Sequence, residues 1–107
     1  MQSARCFAYA KRSVFEWDEG AARSNHAKHG VSFEEAASAI DNPAGLDGVD
    51  LRYSTRERRR LRLARSGTGR VLVIAYTSRG AAVRIISARL ASRKERDRYA
   101  EAQDRLQ

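Results

Sequence analysis

Apolar and polar positions alternate along Ser13-Val14-Phe15-Glu16-Trp17, a run rich in β-forming residues that predicts a short strand. Asp18 follows as an N-cap, with Glu19 in the first turn, where the helix dipole favours a negative charge. The spacing predicts a helix to about His29, stopped at Gly30, which suits the left-handed C′ position. Ser32-Phe33-Glu34-Glu35 reads as a capping box: the Ser32 hydroxyl accepts from the Glu35 amide and the Glu35 carboxylate reaches back. Phe33, Ala36, Ala37 and Ile40 then recur at spacings of three and four, predicting a second helix that Asn42-Pro43 ends.

The segment at 44–50, with Gly45 and Gly48, reads as loop and contains at most a weak strand reaching Tyr53, and after it the period changes. Arg60-Leu61-Arg62-Leu63-Ala64 alternates with period two, leucines inward and arginines outward. A turn at 67–69 leads to 71–76, apolar on both faces and hence a central strand covered on both sides. A hairpin turn at 78–80 and a strand at 83–88 follow. Ser92-Arg93-Lys94-Glu95 is a second capping box, opening a last helix to about Leu106. Its apolar stripe, Tyr99, Ala102 and Leu106, is narrow, so that helix packs lightly or is completed by a partner. Phe15 and Trp17 are assigned to the core. The order predicts an α+β domain: a small antiparallel sheet, two N-terminal helices and one C-terminal helix. Residues 1–12 show no period and are read as an N-terminal arm; residues 13–107 form one domain.

Composition sharpens this picture. Lys plus Arg number 21 against 13 Asp plus Glu, a formal charge of +8, and only Lys11, Lys28 and Lys94 are lysines. Residues 1–50 hold five basic and eight acidic side chains, a net of −3; residues 51–107 hold sixteen and five, a net of +11. An arginine-rich half favours nucleic acid or another acidic partner, against the blander reading of a solvated basic surface. The single cysteine, Cys6, excludes a disulfide framework and a Cys-based zinc site. No apolar run approaches the roughly 18 residues that span a bilayer, and no signal peptide is visible, so a cytoplasmic protein is expected.

Four constellations could carry chemistry. His26 and His29 lie i, i+3 on one helix face, but without an HExxH pattern or a nearby cysteine no metal or cofactor is expected. His29 is either a cation at the dipole's negative end or an acid or base, with Lys28 beside it. In the run 56–65, Arg58, Arg60 and Arg62 share a strand face about 6.6 Å apart, near the phosphate repeat of one nucleic-acid strand. The alternative is a charged edge strand that blocks aggregation. Arg59 has the parity of the leucines and must be paired or sit at a cleft rim, with Glu57 its natural partner. Arg84, inside an apolar strand, faces a wet groove or forms a buried ion pair; Arg89 at the strand's end is better placed to meet phosphate. Tyr99 packs, or turns its hydroxyl to an arginine groove to move protons.

The order of these motifs resembles the BrnT toxin family over residues 14–101. The resemblance is carried by Phe15-Glu16-Trp17-Asp18, Asn25, Lys28-His29-Gly30-Val31-Ser32-Phe33-Glu34-Glu35-Ala36, Glu57 and Arg59, Gly69-Arg70, Arg84-Ile85-Ile86-Ser87-Ala88-Arg89, Glu95-Arg96 and Tyr99. It implies a RelE-like fold, a ribonuclease that blocks translation, and neutralisation by a BrnA antitoxin that carries the DNA-binding element. The chain departs at residues 1–12, in its wholly basic run around Arg60, and at Leu90. Metal-free RNA cleavage by the 2′-hydroxyl needs a base, cations for the phosphorane, and an acid. Glu57 or His29 is the candidate base, Tyr99 or a histidinium the acid, and Arg59, Arg84 and Arg89 the charge stabilisers. Lys28, Arg58, Arg60, Arg62, Arg65 and Arg79 are the expected RNA contacts. A non-catalytic nucleic-acid-binding module and a pure interaction protein are the competing functions.

Overall fold

The computed structural model describes residues 14–49 and 59–105. The expected arm at 1–12, Tyr53, Glu57, Arg58 and Leu106 lie outside the described residues. The elements are β1 (Val14–Glu16), α1 (Glu19–His29), α2 (Phe33–Ile40), β2 (Leu46–Val49), β3 (Arg60–Arg65), β4 (Val71–Arg79), β5 (Ala82–Leu90) and α3 (Arg93–Arg105). This is the expected α+β order.

The caps form where the side chains dictate. Asp18 accepts from the Ala21 amide at 2.8 Å, and Gly30 closes α1 at φ 69°, its N–H donating to the His26 carbonyl. Ser32 accepts from the Glu35 amide at 3.0 Å. The Glu35 carboxylate, expected to reach back to Ser32, is instead taken by Ser66, Thr68 and Arg70, three donors that only the fold brings close. The second box is complete: Ser92 accepts from the Glu95 amide and Glu95 accepts from the Ser92 amide.

One five-stranded sheet has the order β1-β5-β4-β3-β2. Strands β2 to β5 form the antiparallel meander, with β4 central. β1 departs from the all-antiparallel expectation. It joins the β5 edge in parallel, pairing Val14 with Ala82 and Glu16 with Arg84. Two helices separate β1 from the next strand, and such a crossover permits parallel pairing that a tight hairpin cannot. β4 also runs on to Arg79, so the tight turn is Gly80-Ala81, with Gly80 at φ 61°.

Both faces of the sheet are covered. On one, α1 and α2 pack Val31, Phe33, Ala36 and Ala39 against Ala64, Leu72, Ile74, Ile85 and Ala88. Trp17 meets Phe33 edge to face, ring centroids 5.9 Å apart. Asn25 locks this layer: its amide donates to the carbonyls of Val31 and Ala88, and its oxygen accepts from the Ala88 amide. On the other face, α3 buries Tyr99 against Leu63, Val71, Val73 and Ala91. Tyr99 is the buried residue of that helix, as its narrow apolar stripe predicts. Among the described residues no helix is long and apolar enough to cross a membrane.

Candidate nucleic-acid interface

Cross-strand partners share a sheet face, so the register sorts the arginines. Val73, packed under α3, is opposite Arg89 and Leu63. Counting along β4 by twos, Ala75 faces Ser87, Thr77 faces Arg84 and Arg79 faces Ala82. Arg79, Arg84 and Arg89 therefore lie on the α3 side of the sheet, with exposed Ser87 between Arg84 and Arg89. A register shift at Ala75/Tyr76 leaves Ile86 as the extra residue of β5 and keeps these side chains on one face. Arg59 stands just before β3, half-buried, with the parity of Leu61 and Leu63, and it is engaged rather than free.

This face has two centres, since Arg84 and Arg89 are five residues apart, about 15 Å along a strand. At the end near the β4–β5 turn, Arg84 bonds Glu16 across the parallel pair at 3.0 Å, and Arg79 reaches the same carboxylate oxygen at 3.6 Å. Arg84 is thus neither buried nor free: the ion pair weighed for it exists, but half-exposed. At the α3 end, Arg89 forms a two-pronged pair with Glu95, at 2.8 and 3.0 Å. Arg89 holds the Glu95 carboxyl down at about 2, against its ordinary 4.5, aided by the Ser92 amide. An open cavity of about 270 Å³ lies beside this pair, floored by Leu46, Leu61, Leu63 and Val73, with Glu95 and Arg98 at its mouth.

Several expected site residues fall elsewhere. Of the expected ladder, Arg58 lies outside the described residues, and Arg60 and Arg62 stand on the side of the sheet away from the three arginines. Arg60 and Arg62 pair with Tyr76 and Ile74, which places them on the α1–α2 side. Arg60 is exposed there, whereas the Arg62 side chain is only 12% exposed and bonds Asp47 at 2.9 Å and the Asn42 carbonyl. A Cβ at Gly45 would fall within 2.7 Å of the Arg62 guanidinium, so this packing needs a glycine. The leucines do point inward and Arg60 is exposed, but Arg62 is enclosed because both sheet faces are covered, and small Ala64, in phase with the arginines, is fully buried. Asp47 also accepts from Tyr76, whose phenol is pushed up by burial and by that carboxylate.

Tyr99, the candidate acid, is 3% exposed in the α3 core, with the Arg65 guanidinium 5.9 Å above its ring. That burial removes it from substrate contact, and Arg65, which also donates to the Gly69 carbonyl, covers it. Lys28 and His29 sit at the end of α1, in the layer on the opposite side of the sheet, so the fold does not bring them to the three arginines. Glu57 and Arg58 lie outside the described residues.

Sequence reasoning passed over Glu16 as a site residue. Its signal was present in the alternation of 13–17, where Glu16 is the polar member between Phe15 and Trp17, but its partners come from β4 and β5. The Glu35–Arg70 pair was equally out of reach. Arg70, Thr68 and Ser66 all donate to Glu35, and Arg70 foremost holds its carboxyl down at about 2. Arg70 also donates to the Gly30 carbonyl, so this cluster ties α1, α2 and the β3–β4 turn together, apart from the α3 side.

Residues 17–95 match a family model described as ribonuclease toxin, BrnT, of type II toxin-antitoxin system. The fold is similar to the 1.1 Å crystal structure of the Brucella abortus ribonuclease toxin, BrnT. The two share a TM-score of 0.52 and 24% sequence identity, over 76% of this chain and 99% of that one. No curated protein sequence matches the chain.

Proposed function

The chain belongs to the BrnT family of ribonuclease toxins of type II toxin–antitoxin systems, and from that premise we propose that it is an endoribonuclease that cuts RNA by 2′-hydroxyl attack, without a metal. The observation that carries this reading is the alignment of Arg79, Arg84 and Arg89 on one sheet face, with Arg59 at its margin. In-line attack of the 2′-oxygen on phosphorus builds negative charge on the phosphorane. Guanidinium groups meet that charge through paired N–H donors and need no proton transfer to do so. Glu57, with the strand parity of Arg59, takes the 2′-hydroxyl proton. With Tyr99 buried and His29 on the opposite layer, protonation of the leaving 5′-oxygen falls to solvent. Such a site is slow by itself, and a ribosome that holds the message in an in-line conformation would supply the missing orientation.

The activity inhibits translation in the cytoplasm. A BrnA-like antitoxin neutralises it with an acidic segment that presents carboxylates to the same arginines, excluding RNA from the face. Purified protein incubated with RNA in excess chelator tests the reading. Cyclic phosphate and 5′-hydroxyl ends on the fragments, suppressed by the antitoxin, are the expected outcome. Salt-sensitive retardation of RNA that stays intact would replace it with a non-catalytic binding module.

A further inference from the structure

Two cations converge on one exposed carboxylate oxygen at the β4–β5 turn. Glu16 Oε2 lies 3.0 Å from Arg84 Nη1 and 3.6 Å from Arg79 Nε. The parallel register sets Glu16 directly opposite Arg84, and Arg79 reaches over from the neighbouring strand. All three side chains are open to solvent, with exposures of 40%, 36% and 57% for Glu16, Arg84 and Arg79. We propose that Arg79 and Arg84 form a phosphodiester site for the RNA backbone, and that the Glu16 carboxylate is the built-in anion which the phosphate displaces.

Three arguments support this. The shared oxygen marks a point on which both guanidiniums converge, Arg84 donating to it at 3.0 Å and Arg79 standing 3.6 Å away, the arrangement that a non-bridging phosphate oxygen between two arginines would use. Exposed ion pairs are weak, so the resident carboxylate exchanges easily. A phosphate on RNA releases condensed counterions when it binds, a gain that an internal carboxylate does not offer. Until RNA arrives, Glu16 keeps the two long side chains extended and spaced for their ligand. The inference rests on the ribonuclease reading above and adds to it a residue that holds RNA affinity down.

The test is binding of a 2′-O-methyl RNA oligonucleotide, which cannot be cut, to wild type, Glu16→Gln and Arg79→Ala across a salt series. Glu16→Gln should bind more tightly, by up to about fivefold, because the phosphate no longer has to break an exposed ion pair to reach the two guanidiniums. Its slope of log affinity against log salt should stay close to that of wild type, since the same phosphate is bound in both. Arg79→Ala should bind more weakly, with a slope shallower by about 0.7, and should abolish the gain when combined with Glu16→Gln. A Glu16 that only pins β1 to the sheet predicts a lower melting temperature with unchanged or weaker RNA binding, and that result overturns the proposal. Should Glu16→Gln fail to fold, unchanged RNA affinity and salt slope in Arg79→Ala overturn it equally. Wild-type protein that neither binds nor cuts RNA removes the ribonuclease reading itself. Wild type that binds, beside a Glu16→Gln variant that gains nothing, removes this inference alone.

Discussion

The two faces of the sheet are built on different principles. Under α1 and α2, Val31, Phe33, Ala36, Leu72 and Ile74 are closed to water, and the polar Asn25 has three hydrogen bonds. Under α3, one helix side chain reaches the core, and the rest of the face carries Arg79, Arg84, Ser87 and Arg89. The first face holds the fold together, because apolar area removed from water is its main stabilising term. The second can carry exposed cations at little cost to stability, since exposed charges cost little to keep wet. The comparison teaches that stability and the proposed substrate contact are separated by the thickness of one sheet.

The largest effect should come from breaking the first face. Phe33→Ala removes a fully buried ring that packs on Trp17 and should cost about 3–5 kcal/mol, read as loss of the cooperative melt. Ser87→Ala, on the exposed second face, should leave the melting temperature almost unchanged; an equal loss at both positions would erase the contrast drawn between the faces.

Next comes Arg89. Arg89→Ala should lower the RNA cleavage rate about a hundredfold or more while the melt stays within a few degrees of wild type. Arg89→Lys should restore little, because an ammonium cannot make the two-pronged contact. A variant that loses activity and stability together would place Arg89 in the scaffold rather than the site.

The smallest effect is in acid. Glu35, in the α2 cluster, and Glu95, in the α3 cluster, both hold their carboxyls at about 2, below the ordinary 4.5. Each therefore contributes stability that is complete above pH 4.5 and is lost as the pH falls toward 2. For Glu35, with three side-chain donors and little exposure, that contribution is about 1–2 kcal/mol. Melting temperatures followed from pH 6 to pH 2 should fall, and Glu35→Gln should flatten the fall more than Glu95→Gln. An equal response from the two variants would mean that the acid sensitivity is not concentrated on the helix-covered side.

Much of the fold was legible because its signals are local. Asp18, Gly30, Ser32 and Ser92 do at their helix ends what their side chains and spacing require. The strand at 71–76 reads as central because it is apolar on both faces, and β4 is central. The candidate site was less legible. The sequence picks out Arg84 and Arg89, which do share a face, but it does not show that Arg62 bonds Asp47 and Asn42. Tyr99, a candidate acid by sequence, is packed in the core. Period two tells which residues share a side of a strand; it does not tell which side a helix covers when both sides are covered.

The sequence by itself determined where the helices begin, where the central strands lie, the arginine-rich character of the second half, and the family. Each of these depends on neighbours within a few positions, or on a motif order that needs no coordinates. Only the tertiary structure decided that β1 enters in parallel, that Glu16 meets Arg79 and Arg84, that Glu35 meets Arg70, and that His29 lies across the sheet from Arg89. Those outcomes are set by pairing register and by which layer packs on which face. Both are fixed by contacts between residues tens of positions apart, where the burial of one side chain selects the partner of another.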